Sequence, residues 1–343
     1  MIRKTTINVT RLTLAIFLFY GTISTYSFAA KQPDNPELKA KLKKPANPVS
    51  YEKLVDGLDN PWGMAFLPDG RILVTEKKGE IRIIQNRELL DKKISGLPEV
   101  KMLGQGGLMD IEPHPDYESN SWIYLTIASP RGDQPGANTG LFRAKLNGTQ
   151  LTHVEWLYKA SPNSERGVHF GSRIAFDAEN RVYFSVGDRG ARNRNPQNLS
   201  IDGGKIYRLH DDGSIPEENP FVDNPKAIDA IYSYGHRNPQ GLDFHPETGQ
   251  LWSHEHGPKG GDEINIIESG QNYGWPVASF GVNYNGTQLT ERTSHPNMKG
   301  PVAYYTPSIA PCGMTFITGK RYPSWQNDFI LGSLKFGHFV VVE

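Results

Sequence analysis

The sequence predicts an all-β fold, a β-propeller of four-stranded antiparallel sheets, and three observations predict it. Glycine (35) and proline (25) are abundant among the 343 residues, and they fall in clusters between short runs of β-branched and aromatic residues, the pattern of many strands joined by turns. Long helical periodicity is missing. One segment plan, in which a small residue and an apolar pair lead to a Gly/Asp/Pro turn and then to an alternating strand, recurs five times.

The five segments run in order along the chain. WGMAFLPDGRILVTEKKGEIRII starts at Trp62, GLMDIEPHPDYESNSWIYLTI at Gly107, SRIAFDAENRVYFSVGD at Ser172, GLDFHPETGQLWSHEHG at Gly241 and GMTFITGKRYPSWQNDFILGSLKFGHFVVVE at Gly313. Aligned on Phe66, Ile111, Phe176, Phe244 and Phe316, they are 45, 65, 68 and 72 residues apart, the spacing of propeller blades with insertions. Pro68-Asp69-Gly70 and Glu247-Thr248-Gly249 accept tight-turn geometry, and the strands ILVTE and VYFSV are expected to alternate their apolar positions with period two. A plain β-sandwich explains the strands but not a repeat of this length.

The first thirty residues read as a secretory signal: Arg3, Lys4 and Arg11 precede an apolar run from Leu12 to Ile23, and Ser27, Ala29 and Ala30 close it with small side chains. The run is too short to cross a bilayer, which needs about 20 residues, so no stable membrane insertion is expected and the mature protein is placed in the periplasm. Residues 31–48, rich in Lys, Pro and Asn, form a flexible lead-in, and residues 49–343 the propeller domain. Acidic and basic residues balance at 37 each, and removing the signal leaves 34 basic against 37 acidic, which argues against nucleic acid as a partner. Cys312 is the single cysteine, so no intrachain disulfide forms.

Loops at one end of a propeller converge on its channel, and four stretches carry polar residues there. Gly104-Gln105-Gly106-Gly107 leaves Gln105 as its only side chain among glycines that permit close backbone approach. Gly167-Val168-His169-Phe170-Gly171, followed by a strand and then Gly187-Asp188, offers a histidine able to accept a proton near neutral pH; its bland reading is a structural loop residue. In Tyr234-Gly235-His236-Arg237-Asn238-Pro239-Gln240-Gly241, Arg237 carries a fork of donors suited to a carboxylate or developing oxyanion.

His254-Glu255-His256-Gly257-Pro258-Lys259-Gly260-Gly261-Asp262-Glu263 is the fourth stretch. His254 and His256 share one face of a strand while Glu255 points away, so a zinc site lacks its third nitrogen or sulfur ligand. The Gly-Pro step exposes carbonyls, and Asp262 and Glu263 add carboxylates, an oxygen-rich set that favours Ca²⁺.

Taken in this order, with NYGWP (Asn272 to Pro276) and GSLK (Gly332 to Lys335), these stretches resemble the soluble PQQ-dependent glucose/sorbosone dehydrogenases, the periplasmic aldose sugar dehydrogenases among them. The resemblance runs from about Leu58 to the last residue. It implies six blades, the last incomplete because the chain stops inside the strand FVVVE. It also implies His169 as general base and Arg237 as stabiliser of charge on the quinone, with Asn238, Gln105 and Lys335 also holding the pyrroloquinoline quinone (PQQ). Carbonyls of Gly257 and Pro258 would coordinate the catalytic Ca²⁺, and Glu263 and the carbonyl of Tyr273 a second, structural one. An aldose is the implied substrate, oxidised at its anomeric carbon, and electrons leave to an external acceptor. A side chain cannot accept hydride, which agrees with a cofactor, and no nicotinamide fingerprint is present. A calcium-dependent propeller hydrolase of the sugar lactonase kind and a non-catalytic sugar-binding propeller are the alternatives.

Overall fold

The computed structural model describes Lys39 and residues 52–342, so the secretory signal and nearly all of the lead-in lie outside the described residues. Five antiparallel sheets follow one another along the chain, each built from consecutive strands. The first holds β1 (Pro61–Phe66), β2 (Ile72–Glu76), β3 (Glu80–Gln85) and β4 (Glu88–Leu89). The second holds β5 (Leu108–Pro113), β6 (Trp122–Ser129), β7 (Asn138–Asn147) and β8 (Gln150–Lys159). The third has β9 (Ile174–Phe176), β10 (Val182–Val186), β11 (Lys205–Leu209) and β12 (Ile231–Tyr234). The fourth has β13 (Pro239–Phe244), β14 (Leu251–Glu255), β15 (Asp262–Ile267) and β16 (Ala303–Tyr305), and the fifth β17 (Pro311–Phe316), β18 (Phe329–Ser333) and β19 (His338–Val342). First strands of successive sheets lie against each other, β1 on β5, β5 on β9, β9 on β13 and β13 on β17, which is the radial stacking of a propeller. No helix among the described residues is long and apolar enough to cross a membrane.

The blade count corrects the expectation of six. Among the described residues five sheets are present, the last three-stranded, one for each of the five repeated segments. Each segment supplies one tight turn between a first and a second strand, so the repeats themselves set the number of sheets; six came from the resemblance.

The turns behave as their residues dictate. In Pro68-Asp69-Gly70 the Gly70 N–H donates to Leu67 O at 3.0 Å with Gly70 at φ +85°, a conformation that a Cβ disfavours. The expected alternation of ILVTE and VYFSV does not appear in their burial: four of the five residues of β2 and all five of β10 are buried. β10 belongs to an inner blade with a neighbouring sheet on each face, so its polar side chain is enclosed along with the apolar ones.

The apolar core is correspondingly layered. Leu73, Ile81 and Ile83 of the first sheet pack with Leu108, Ile123 and Phe142 of the second; Tyr124 and Leu141 with Phe184 and Tyr207 of the third; Tyr183 and Ile206 with Leu242 and Leu251 of the fourth; and Ile264 and Tyr305 with Phe316 and Leu331 of the fifth. Each such side chain contributes about 1.5–3 kcal/mol on burial.

Hydrogen bonds cross these layers at the inner strands. Thr75 Oγ1 donates to Met109 O at 2.5 Å, Thr126 Oγ1 to Ser172 O at 2.7 Å and Ser185 Oγ to Pro239 O at 3.3 Å, each reaching into the next blade. Carboxylates do the reverse: Asp110 accepts Ile174 N–H (2.9 Å) and Asp243 accepts Phe316 N–H (3.0 Å), and the two acids follow the small-apolar start of their repeats, GLMD and GLD. Asp110 also receives Arg173 Nη1 at 3.0 Å, and the same guanidinium lies 4.1 Å from the Trp62 ring centroid and donates to Gln240 O. Removing one partner of an enclosed pair strands the other charge, at about 3–5 kcal/mol. Asp110→Ala therefore lowers the free energy of urea unfolding by about that amount, while Asp56→Ala, which loses only an exposed pair with Lys53, changes it by less than about 1 kcal/mol.

Candidate functional site

In an antiparallel pair the start of one strand lies beside the end of the next, as Pro239 lies opposite Glu255 between β13 and β14. The entrances of first strands and the exits of second strands therefore gather at one end of the blades. Gln105 precedes β5, His169 precedes β9, Asp188 follows β10, Arg237 and Asn238 precede β13, and Gly257 and Pro258 follow β14. A cavity of about 650 Å³ opens there, lined by His169, Asp188, Arg189, Arg237, Pro258 and Trp275 among others. This is the size of a small-molecule site, roughly 300–1,000 Å³.

His169 is held in a left-handed backbone conformation, φ +54°, between flanking glycines. Its N–H donates to Gln105 Oε1 at 2.7 Å, and Gln105 N–H donates to Gly167 O at 2.6 Å, joining the first two polar loops. The approach requires glycine: a Cβ on Gly104 would lie 2.1 Å from Gly167 O. His169 Nδ1 is 2.6 Å from Asp188 Oδ1, so Nδ1–H donates to the buried carboxylate and Nε2 is left as the acceptor nitrogen.

Asp188 is the junction of the site. Its Oδ2 accepts Trp275 Nε1–H at 2.8 Å, Oδ1 also accepts Gly190 N–H at 2.7 Å, and its own N–H donates to Arg237 O at 2.7 Å. Burial alone would raise its pKa, but the hydrogen bond and charge of His169, the Trp275 N–H and the charge of Arg237 outweigh that and hold it below the ordinary carboxylate value. Arg189, buried under the same loop, donates to the carbonyls of Val168, Arg166 and Ala137 and lies 3.4 Å from the Phe170 ring centroid. Burial lowers its pKa to about 9, which still leaves it charged at neutral pH.

Arg237 is buried at the cavity wall, with Nη1 on His256 O (2.9 Å), Nη2 on Tyr284 Oη (3.3 Å) and its guanidinium 5.4 Å from the Trp275 ring centroid. The acid that positions it is Glu255, which accepts the N–H groups of Arg237 and Asn238 and shares a 3.0 Å hydrogen bond with His236 Nδ1. Asn238 is a strut behind the wall: its Oδ1 accepts Gly171 N–H at 3.1 Å. Lys335 is exposed in the turn between β18 and β19, against Phe336, and does not line the cavity.

The oxygen-rich stretch divides. Asp262, counted above with the carboxylates available to a cation, is taken up instead by Gly257 N–H, Ser308 Oγ, Ile309 N–H and Ala310 N–H, all within 3.0 Å. It braces the Gly257–Gly261 turn, which is so tight that a Cβ on Gly257 would meet Gly260 O at 2.1 Å. No N–H of the described residues donates to the carbonyls of Gly257 or Pro258. His254 and His256 bond the carbonyls of Gly313 and Pro311 through Nε2, and burial pushes His254 down to about 3, so it is neutral; among the described residues no third His, Cys, Asp or Glu joins them in a ligand cluster. Glu263 pairs in register with Glu255; burial and that neighbouring carboxylate push its pKa well up, which a cation would reverse. Tyr273 stacks on His236, 4.7 Å between ring centroids, and His236 in turn bonds Glu255. Among the described residues no cluster of three or more His, Cys, Asp or Glu side chains is arranged around a point, so a cation here would rest on carbonyl oxygens, which suits Ca²⁺. The residues thus fit both groups: a half-satisfied buried guanidinium for an anionic quinone, and undonated carbonyls for a hard cation.

Asp188, Trp275 and Arg189 carry roles that the sequence reading did not assign. A Gly-Asp step at a strand exit and the NYGWP motif were the available signals.

Similarity to known proteins fits this geometry. The family model described as "Glucose / Sorbosone dehydrogenase" matches residues 58–343. The aldose sugar dehydrogenase of Escherichia coli is 38% identical over 300 residues, covering 86% of this chain and 80% of that protein. Its apo-form crystal structure superposes with a TM-score of 0.81, covering 84% of each chain. Quinoprotein glucose dehydrogenase B of Acinetobacter calcoaceticus is 32% identical over 285 residues, covering 75% and 58% of the two chains. The PQQ-bound aldose sugar dehydrogenase of Streptomyces coelicolor superposes with a TM-score of 0.66 at 28% identity, covering 83% and 77%.

Trp275→Phe keeps a ring in the wall but deletes one donor to a charged carboxylate, a loss of about 1.5–3 kcal/mol. Asp188 has a depressed folded pKa, so its stabilisation is full above the ordinary carboxylate value and vanishes as pH falls through the folded one. In Trp275→Phe that folded pKa rises, and acid unfolding followed by tryptophan fluorescence begins at a higher pH than in the parent.

Proposed function

Because the chain belongs to the glucose/sorbosone dehydrogenase family, we propose that it oxidises an aldose at the anomeric carbon to the lactone, using PQQ and Ca²⁺ and passing electrons to an external acceptor. The observation that carries this reading is the Asp188–His169 pair in a cavity shared with Arg237.

Oxidation of a hemiacetal removes a proton from oxygen and a hydride from carbon, forming C=O. His169 Nε2 takes the proton from the anomeric hydroxyl, because Nδ1–H is committed to Asp188. Asp188 keeps that tautomer and offsets the positive charge of the imidazolium. PQQ, when bound with Ca²⁺ as Lewis acid, supplies the two-electron hydride acceptor that the side chains lack. Arg237 places a fixed positive charge at the wall where negative charge builds up on the acceptor side. Asn238 and Gln105 hold the loops that carry Arg237 and His169, whereas a cofactor role for Lys335, which lies outside the cavity, rests on the resemblance alone. Carbonyls of Gly257 and Pro258 would hold the catalytic Ca²⁺, and Glu263 with the Tyr273 carbonyl a structural one.

The names of the matched relatives support an aldose and a quinone. The signal-like pattern of the first thirty residues supports export to the periplasm, with residues 49–343 as the catalytic domain.

His169→Ala, assayed by dye reduction with PQQ, Ca²⁺ and a panel of aldoses, loses about 10²- to 10⁴-fold in kcat with the circular dichroism spectrum retained. Unchanged turnover would remove His169 from the chemistry. Chelation abolishes activity and Ca²⁺ with PQQ restores it; restoration by Zn²⁺ alone would refute the carbonyl-based cation site.

A further inference from the structure

Five arginines line the cavity: Arg166, Arg189, Arg192, Arg194 and Arg237. Among the described residues the one carboxylate that lines it, Asp188, is already engaged by His169 and Trp275. None of the five forms an ion pair with a described carboxylate, whereas Arg71, Arg143, Arg173, Arg181 and Arg208 elsewhere each sit on one. The chain's formal net charge is zero, so this excess of positive charge is local to the cavity.

Neutral acceptors hold two of these side chains without cancelling their charge. Arg192 Nη1 donates to Asn283 Oδ1 at 2.7 Å, and Arg166 Nη1 donates to Gly190 O. Arg194 is exposed at the rim of the same 188–195 loop, and Arg192 is half-buried there. Arg189 and Arg237 have work of their own, in the loop backbone and at the inner wall. Arg166, Arg192 and Arg194 are left as a cationic rim to the chamber in which His169 presents Nε2. Guanidinium groups fixed beside a low-dielectric wall recognise carboxylate and phosphate and raise the encounter rate of anions.

We propose that the preferred substrate is an anionic aldose, a sugar carrying a carboxylate or phosphate away from C1, with C1 at His169 and the anionic group on Arg192 and Arg194. This rests on the dehydrogenase reading and names its substrate class. The oxidation is unchanged: C1–H leaves as hydride to the quinone, the C1–OH proton goes to His169, and the anionic group takes no part.

The full chain, reconstituted with PQQ and Ca²⁺, is assayed with D-glucose, D-galactose, D-glucuronate, D-galacturonate and glucose 6-phosphate at about 20 mM and about 200 mM salt. The uronates or the sugar phosphate should exceed their neutral parents in kcat/KM by about tenfold at low salt, with the gap narrowing as salt rises; which of them leads tells carboxylate from phosphate. Arg192→Ala/Arg194→Ala should bring the anionic-to-neutral ratio to about one. Neutral aldoses oxidised as well as or better than every anionic one would overturn the proposal and leave the dehydrogenase reading standing. So would a double variant that loses PQQ affinity in a cofactor titration while keeping the ratio, since the rim would then serve the cofactor's carboxylates. Calorimetry of D-glucuronate with the cofactor-free protein separates the two ideas. Binding that the double variant loses, with no aldose oxidised, supports the anionic site against the dehydrogenase reading; no binding and no oxidation overturns both.

Discussion

The structure depends on side-chain oxygens that reach from one blade to the main chain of the next. Apolar layers between blades supply most of the cohesion, but they are non-directional and do not set how one sheet is placed on another. Thr75, Thr126 and Ser185 donate to carbonyls of the following blade, and Asp110 and Asp243 accept its N–H groups. Because these partners sit on inner strands and their entrances, a slip of one blade against its neighbour would leave buried polar groups unsatisfied. With one cysteine, the chain has no intrachain disulfide to do this job.

The same device, moved to the strand ends, builds the site. Loops that converge on a channel contain N–H groups outside any ladder, and each needs an acceptor. Asp188 gathers His169, Gly190 and Trp275; Glu255 gathers Arg237 and Asn238; Asp262 gathers Gly257, Ile309 and Ala310. The proton acceptor, the fixed charge and the carbonyl pair are thus each hung on one enclosed carboxylate. Preorganisation of this kind keeps a site from rearranging as charge develops during reaction.

Arginine has two uses in this chain. Outside the cavity several arginines neutralise carboxylates and stiffen turns, as Arg71 does with Asp69 and Arg181 with Asp177. Around the cavity it meets carbonyls, amides and aromatic faces, so its charge persists into the open volume. A protein of balanced composition thereby carries a strongly polarised site.

What the sequence by itself determined was local and periodic. The five repeats marked where strands and turns begin, although six blades were expected from the resemblance, and the turns at Pro68-Asp69-Gly70 and in the later repeats formed where glycine and aspartate allow them, because such geometry is decided by a few adjacent residues. His169, Gln105, Arg237, Asn238 and the Gly257-Pro258 step were legible as candidates for the same reason, being polar or flexible residues at strand boundaries. Tertiary structure decided the rest. The partnership of His169 with Asp188 and Trp275 joins positions up to 106 residues apart, and the capture of Asp262 by the loop before β17 joins two blades. Neither contact has any periodic trace. Burial of both faces of β10 likewise came from its neighbours, since a strand's own pattern cannot say what will cover it.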